Sequence, residues 1–471
     1  MTDKFTHFSL FTGAGGIDAG FRETGKYRTV FGNDIKPDAV KTYSSNFNAE
    51  IIEHGDSVAV DPAVYLGSIE TIDFNKLSKY EIDVVTGGPP CQDFSLVRGP
   101  QSERGGITVK RGKLYAHFIR ALIHLRPKVF VFENVPGLIT ANNGEAYKSI
   151  IEDFSCLNIR WNEIKEQVRN GADIIPTNYE ILFSDIVDAT KAGVPQARRR
   201  LIIIGLRKDL ANKIWWKISE LKKMLSKALN DTNSCISKYP LTTIETFEGQ
   251  PLCCLEETYS NIMREYKSLA EEIETHQAWQ SNLPAQSWKV KFKKLSFDIF
   301  QDYKLVTNSP SLTRQEFLKI SEEHELLLKE LGYYGKRVTD LKLNNTVKKT
   351  SMPVVERMKR IPPGENHEFV RGTPWEVEGK GMSLIYRRLH PLKPAYTVVA
   401  YGGGGTWGYH YERNRDILTD RERARIQTFP DDFVFIGNSS EVRAQIGEAV
   451  PPLLAKRIGQ AVCRIIEAVG K

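Results

Sequence analysis

The first two hundred residues alternate short apolar runs with longer amphipathic stretches. Phe8 to Thr12 precedes Ile17 to Thr24, and Val30 to Gly32 precedes Pro37 to Phe47. Val84 to Gly87 precedes, after a polar loop, Tyr115 to Leu125, and Val129 to Glu133 and Leu201 to Leu206 are two further β-branched runs. Short apolar runs between turn signals read as buried strands and the longer stretches as helices. Their alternation predicts an α/β domain with helices on both faces of a mostly parallel sheet. Ligands in that architecture gather at the carboxyl ends of strands, and each motif singled out below falls at such an end.

The texture changes after about residue 209. Ile214 to Leu229, Leu255 to Gln280 and Gln315 to Leu331 read as charged helices. Trp288 to Leu295 alternates, with Lys289, Lys291, Lys293 and Lys294 interleaved; a solvated edge strand guarded by lysines is one reading and phosphate contact another. From Arg387 the chain tightens into Pro- and Gly-rich loops. It ends in an amphipathic helix over about 452–469, opened by Pro451-Pro452. The expected organisation is an α/β domain over 1–209, a second domain inserted over 210–405, and a return to the first over 406–471.

Composition narrows the class without choosing a function. Hydrophobic residues make up 41% and charged residues 26% of 471, which is ordinary globular usage. That length exceeds what one core supports, hence the two domains. Lys and Arg number 65 against 58 Asp and Glu, a formal +7 that permits a nucleic-acid partner without requiring one. No apolar run is long enough to span a bilayer, and Met1 to Lys4 shows no signal pattern, so no membrane association and a cytoplasmic location are expected. Six cysteines (Cys91, Cys156, Cys235, Cys253, Cys254, Cys463) include no C-x-x-C pair, so neither a structural zinc nor any other metal is expected.

Candidate chemistry lies at four strand ends. Phe11-Thr-Gly-Ala-Gly-Gly16 follows the first strand, where glycines allow close backbone approach to a ligand or simply make a tight structural turn. Asp34 ends the second strand, where an acidic group can hold a ribose hydroxyl; the phrase is not G-x-G-x-x-G, so a nucleoside cofactor without a cradled pyrophosphate fits better. Gly87-Gly88-Pro89-Pro90-Cys91-Gln92 presents one thiol after a constrained turn, an unusual place for an inert cysteine. The segment 92–113 then carries four glycines among Arg98, Arg104, Lys110 and Arg111, the composition of a cationic lid or of an ordinary solvated loop. Phe132-Glu133-Asn134 ends another strand with an acidic residue that is either a helix cap or a positioned carboxyl group. In Gln196-Ala-Arg198-Arg-Arg200 the alternate arginines would share one face of a strand start, as a surface patch or as a phosphate clamp.

In this order the segments resemble the C5-cytosine-specific DNA methyltransferase family, of the prokaryotic modification type. Phe11 to Gly16, Pro89 to Gln92, Glu133 to Val135, Gln196 to Arg200, Arg388 to Val399 and Gln445 to Pro452 match its ordered motifs. The likeness covers roughly 5–210 and 385–465, and the middle corresponds to that family's variable target-recognition domain. It implies the Rossmann-like sheet of S-adenosylmethionine-dependent methyltransferases with an inserted smaller target-recognition domain, and S-adenosylmethionine as methyl donor. Phe11 would stack on adenine, and Gly13, Ala14 and Gly16 would lie against the methionine moiety. Asp34 would bind the ribose, Ile35 pack on the adenine face, and Asp56 meet the adenine amino group, with Asp73 a rival. Pro90, Leu114, Glu448 and Ala449 would line the same site. Ile35 stands where the family often has an aromatic residue, and Glu448 where it often has Asn.

The catalytic residues implied are Cys91, Glu133, Arg198 and Arg200. Cytosine C5 is a poor nucleophile until a thiolate adds at C6; Cys91 would supply it, and Glu133 would share a proton with N3. Arg198 and Arg200 would clamp the base and the flanking phosphate, and Arg200→Ala is expected to weaken DNA binding and flatten its salt dependence. The base must leave the duplex first, with the 92–113 segment closing over it. Gln92, Ser95, Arg98 and Thr397 are expected to face the DNA, with Tyr401 to Gly405 as a further contact or a structural loop. The implied activity is sequence-specific methylation of double-stranded DNA by a monomeric, nucleoid-associated enzyme. It would protect sites shared with a cognate restriction endonuclease that it need not touch. The alternatives are a tRNA cytosine-5 methyltransferase and a non-catalytic DNA-binding regulator on the same fold; a nicotinamide oxidoreductase explains neither Pro89-Pro90-Cys91 nor the arginines.

Overall fold

The computed structural model describes residues 4–53, 61–77, 80–90, 113–168, 176–231, 237, 239–348, 350–377, 385–402 and 405–470. Among these an eight-stranded sheet runs in the order β3-β4-β2-β1-β5-β6-β8-β7. The strands are β1 (Phe5–Leu10), β2 (Tyr27–Asp34), β3 (Glu50–Ile52), β4 (Ala63–Leu66), β5 (Val84–Gly87), β6 (Val129–Asn134), β7 (Tyr179–Asp188) and β8 (Arg199–Arg207). β3, β4, β2, β1, β5 and β6 pair in parallel, whereas β8 is antiparallel to both β6 and β7. The strand order reverses between β1 and β5, which opens a crevice at their carboxyl ends.

Both faces of the sheet are buried, as the near-continuous apolar strands require. Val129, Val131, Ile202, Ile204 and Leu206 point into one core, which the carboxy-terminal helix Pro452–Val469 caps with Leu453, Leu454, Ile458, Val462 and Ile465. Phe130, Phe132, Leu201 and Ile203 point into the other, beneath the helices Lys113–Leu125, Glu145–Ser155 and Leu157–Ile164. This is the period-two alternation of a strand covered on both sides. The last helix packs on Gly16–Glu23: a Cβ on Gly20 would lie 2.3 Å from the Pro452 carbonyl, and Tyr27 donates its hydroxyl proton to the Gly459 carbonyl at 2.7 Å.

The described residues beyond Arg207 form helices and loops joined by isolated bridges such as Arg388–Tyr409. A third apolar cluster runs from Ile244 to Ile426. The helix Asp420–Ile426 carries three buried arginines that bond outward to scattered carbonyls: Arg421 to Leu343, Pro430 and Phe433, Arg423 to Trp407, and Arg425 to Thr246 and Lys336.

Three element expectations are corrected. Trp288 to Leu295 is not a strand but the end of a helix, Leu283–Phe292, in which Trp288 and Phe292 sit one turn apart and stack at 4.6 Å. The stretch 255–280 splits into Glu256–Arg264, Lys267–Thr275 and a short turn, because Tyr266 is drawn into the core to donate to the Tyr411 carbonyl. β8 begins at Arg199 rather than Leu201, so Arg199 and Arg200 lie within the strand and Arg198 before it.

Candidate active site

The β1–α turn is shaped by backbone conformation. Phe11, Gly13 and Gly15 hold φ of 55°, 54° and 91°, left-handed values that cost an L-residue with a side chain about 1–2 kcal/mol. No described atom lies within 4 Å of a Cβ built on Gly13, so that turn faces open space. Gly16 differs: a Cβ there would come 2.4 Å from the Val450 carbonyl, so its smallness serves packing against the chain's last motif. Ala14 is likewise buried, in a cluster with Phe429, Phe433 and Ile446. The expectation that Gly16 and Ala14 lie directly against a ligand therefore meets an internal role for both.

Asp34 completes the corner. Its carboxylate accepts from the Gly13 amide at 2.8 Å and from the Lys36 amide at 2.9 Å. Burial pushes this carboxyl above its usual range, the two amides and the Lys36 ammonium oppose that, and Glu448 adds to it. Ile35, between them, is 65% exposed, a large apolar side chain offered to whatever enters the crevice. Below the turn, Asp18 is fully buried, accepting from Ser9 at 2.9 Å and Tyr43 at 3.0 Å, and burial raises its carboxyl to about 6. No periodicity in the sequence distinguished Asp18 from a helix-surface acid.

The second half of the site is built where β5, β6 and β8 meet. Because β8 runs against β6, its first residues lie beside the last residues of β6, with Glu133 opposite Ile202. Arg200 stands two residues from Ile202 on the same face, and its Nε lies 2.8 Å from Glu133 Oε1, both side chains 14% exposed. Burial drives the Glu133 carboxyl upward in pKa, and Arg200 and Arg198 pull against it. Gly88 makes room: a Cβ there would sit 2.6 Å from Glu133 Oε2. The Asn134 amide donates to the Pro89 carbonyl at 3.0 Å, fastening the turn that leads into Cys91 to the strand that carries Glu133. Cys91 itself, with Gln92, Ser95, Arg98 and Asp56, lies outside the described residues.

The arginines do not share one task as the alternation suggested. Arg198 is fully buried, and its guanidinium donates to the carbonyls of Gly447 at 2.8 Å, Glu448 at 3.3 Å and Val398 at 3.4 Å. A phosphate clamp does not fit that burial; the side chain ties the start of β8 to the 447–449 turn. Gln196, whose side chain accepts from the Val398 amide and donates to Gln427, zips the same motif to the 395–399 segment. Thr397 donates to the Ala197 carbonyl at 2.6 Å while remaining exposed. Pro90 is exposed, whereas Leu114 and Ala449 are partly buried, against the second and fourth apolar clusters respectively.

Lys36 and Tyr401 were missed as parts of this corner. The Lys36 ammonium donates to both Glu448 oxygens at 2.9 and 2.8 Å and lies 5.3 Å from the Tyr401 ring centroid. Their contact spans more than 360 residues of sequence, so no local pattern could have announced it.

The carboxyl edge thus carries a glycine turn with an acid at the β1–β2 corner, and a sheltered acid–guanidinium pair beside a Pro-Pro turn. The fold is shared, at a TM-score of 0.54 and 18% identity over 98% of this chain and all of the other, with a prophage-encoded E. coli chain described as a candidate DNA modification methyltransferase. The profile of the C-5 cytosine-specific DNA methylase family matches residues 5–464. The chain is 52% identical to the DNA (cytosine-5-)-methyltransferase M.ApeKI of Aeropyrum pernix, over 99% of this chain and all of the relative. It is 31% identical to the type II methyltransferase M.NgoFVII of Neisseria gonorrhoeae, over 94% of this chain and 82% of that one. The chain belongs to the C5-cytosine-specific DNA methyltransferase family. It is a DNA (cytosine-5-)-methyltransferase, with the mixed α/β methyltransferase sheet that the family resemblance implied.

Proposed function

We propose that the chain is a sequence-specific modification enzyme of a type II restriction–modification system. It extrudes a cytosine from duplex DNA and methylates C5 through a transient bond from Cys91. The observation that carries this reading is the Glu133–Arg200 pair, 2.8 Å apart and sheltered, beside the Gly88-Pro89-Pro90 turn that runs directly into Cys91. The likeness to the type II methyltransferase M.NgoFVII supports the restriction–modification context. The enzyme would act as a cytoplasmic, nucleoid-associated monomer, sharing its recognition site with an endonuclease it need not touch.

The residues at the β1–β2 corner fit S-adenosylmethionine, because the Gly13 turn faces open space, Asp34 presents a carboxylate beside it, and Ile35 offers an exposed apolar face. Phe11, Asp34 and Ile35 would hold the nucleoside, Gly13 the methionine moiety, and Pro90, Leu114, Glu448 and Ala449 the surrounding walls. When bound, the cofactor supplies a methyl group on a positively charged sulfur. The Cys91 thiolate adds to C6 of the flipped ring, and the C5–C6 π electrons move to C5. Glu133, whose burial raises its carboxyl pKa against the pull of Arg200 and Arg198, shares a proton with N3 and draws charge from C6 as the new bond forms. Arg200 holds Glu133 in register and counters charge on the ring. After methylation a base takes the C5 proton, the ring electrons re-form the double bond, and Cys91 leaves as thiolate. Extruding the base costs a few kcal/mol, which contacts from the 92–113 segment would offset.

Duplex containing 5-fluorocytosine tests the reading, because the missing C5 proton stops the final step. Wild-type protein should form a covalent complex that survives denaturation, and Cys91→Ser should not. Labelled methyl transfer to tRNA alone would overturn the substrate assignment, and absence of trapping in both proteins would favour a non-catalytic regulator.

A further inference from the structure

The helix Ser439–Glu448 ends at a junction between three segments remote in sequence. On the cofactor side, Lys36, two residues from Asp34, donates to both Glu448 oxygens. At the catalytic side, Arg198 donates to the Gly447 and Glu448 carbonyls. On the third side the helix grips Val399, Gly402 and Thr406. Arg443 donates to the carbonyls of Val399 at 3.4 Å, Gly402 at 3.1 Å and Thr406 at 3.2 Å, and to the Thr406 hydroxyl at 2.7 Å. A Cβ on Gly447 would lie 2.4 Å from the Ala400 amide nitrogen, so helix and loop touch backbone to backbone. Tyr401 closes the circuit, its hydroxyl bonded to both Lys36 and Glu448.

The Lys36 and Glu448 side chains are 37% and 39% exposed, and pairs this open contribute little to overall stability. Their geometry suits a contact that opens and recloses rather than a permanent tie. Arg443 and Gly447, by contrast, are buried and fix the loop to the helix. A shift of the Asp34–Lys36 corner on cofactor binding would reach the loop through Lys36, Glu448 and Tyr401.

We propose that Lys36 and Tyr401 are positioning residues which, through Glu448, couple occupancy of the cofactor corner to the 399–402 loop, so that duplex DNA and cofactor reinforce each other's binding. The inference rests on the cofactor assignment above and on taking Tyr401 as one of the DNA contacts, the first of its two sequence readings. A coupled pair of sites changes each other's affinity by the same factor, commonly 5- to 150-fold.

The test is equilibrium binding of labelled S-adenosylhomocysteine, which cannot donate a methyl group. It is measured without DNA and with saturating, unmethylated duplex amplified from a bacterial genome. Wild-type protein should bind at least fivefold more tightly with duplex. In Lys36→Met that ratio should fall below twofold, and in Tyr401→Phe to an intermediate value. A wild-type ratio of one, or an unchanged ratio in both variants, overturns the coupling and leaves the cofactor site standing. Failure of wild-type protein to bind S-adenosylhomocysteine under either condition overturns the cofactor site itself, and the coupling with it.

Discussion

Glu133 shows how much a single position depends on its neighbours. Its carboxyl is sheltered enough to be pushed toward the protonated form and paired closely enough to be held in place. Gly88 permits both, since a methyl group there would fall 2.6 Å from Glu133 Oε2. Gly88→Ala should lower single-turnover methyl transfer at least tenfold while shifting the melting temperature by no more than a few degrees; unchanged transfer would show that the carboxyl can move without loss. Motif residues with a chemical signature, namely Gly13, Asp34 and Glu133, were legible in the sequence, because a glycine turn and strand-end acids are local facts. Arg198 was not. The rule that alternate residues share a face holds within a strand, and Arg198 precedes β8, where the chain turns its side chain inward to three carbonyls.

At the scale of elements, the carboxy-terminal helix and the helix Pro37–Phe47 were legible to the residue, each marked by proline in its first turn. The lysine-rich run was not. Its lysines at 289, 291 and 293 imitate a two-residue period, yet Val290 between them is 55% exposed, and burial follows Trp288 and Phe292 at helical spacing. Helix pairing in this region includes a buried charge contact, with His324 Nδ1 2.9 Å from Glu245 Oε1 and Nε2 bonded to the Tyr239 carbonyl. Burial disfavours the imidazolium, but the Glu245 charge and both hydrogen bonds outweigh it, so the His324 pKa lies above its usual value. A raised histidine stabilises the fold fully below the unfolded value of about 6.5, and that contribution disappears as pH rises through the folded value. The melting temperature of the wild-type protein should therefore decline across that interval, and His324→Gln should flatten the decline. A slope unaffected by the substitution would assign the pH response elsewhere.

For the molecule as a whole, the chain's two ends build one core. Val84, Val129 and Ile202 share a cluster with Leu454, Ile458 and Val462. A fragment of residues 1–209 would expose that face to water, and should be insoluble or molten when expressed alone. Co-expression with 210–471 should restore a soluble, cofactor-binding complex; a well-folded 1–209 fragment would contradict the shared core. The α/β class was legible because both faces of the sheet are covered, which makes its strands plain apolar runs. The reversal of β8 was not legible: an apolar strand reads the same in either direction, and the register running from Val129 opposite Leu206 to Asn134 opposite Leu201 reveals it.

The pairing of β8 with β6 makes the site sensitive to small insertions. Two strands travelling in opposite senses meet like the scales of a vernier, and one notch of slippage turns every side chain over. Adding one residue between Arg200 and Leu201 would leave the apolar interior of β8 in its proper alignment yet swing the guanidinium to the sheet's far side, away from Glu133. Such a protein should methylate nothing and, with Arg198 drawn from its three carbonyls, should melt below its parent.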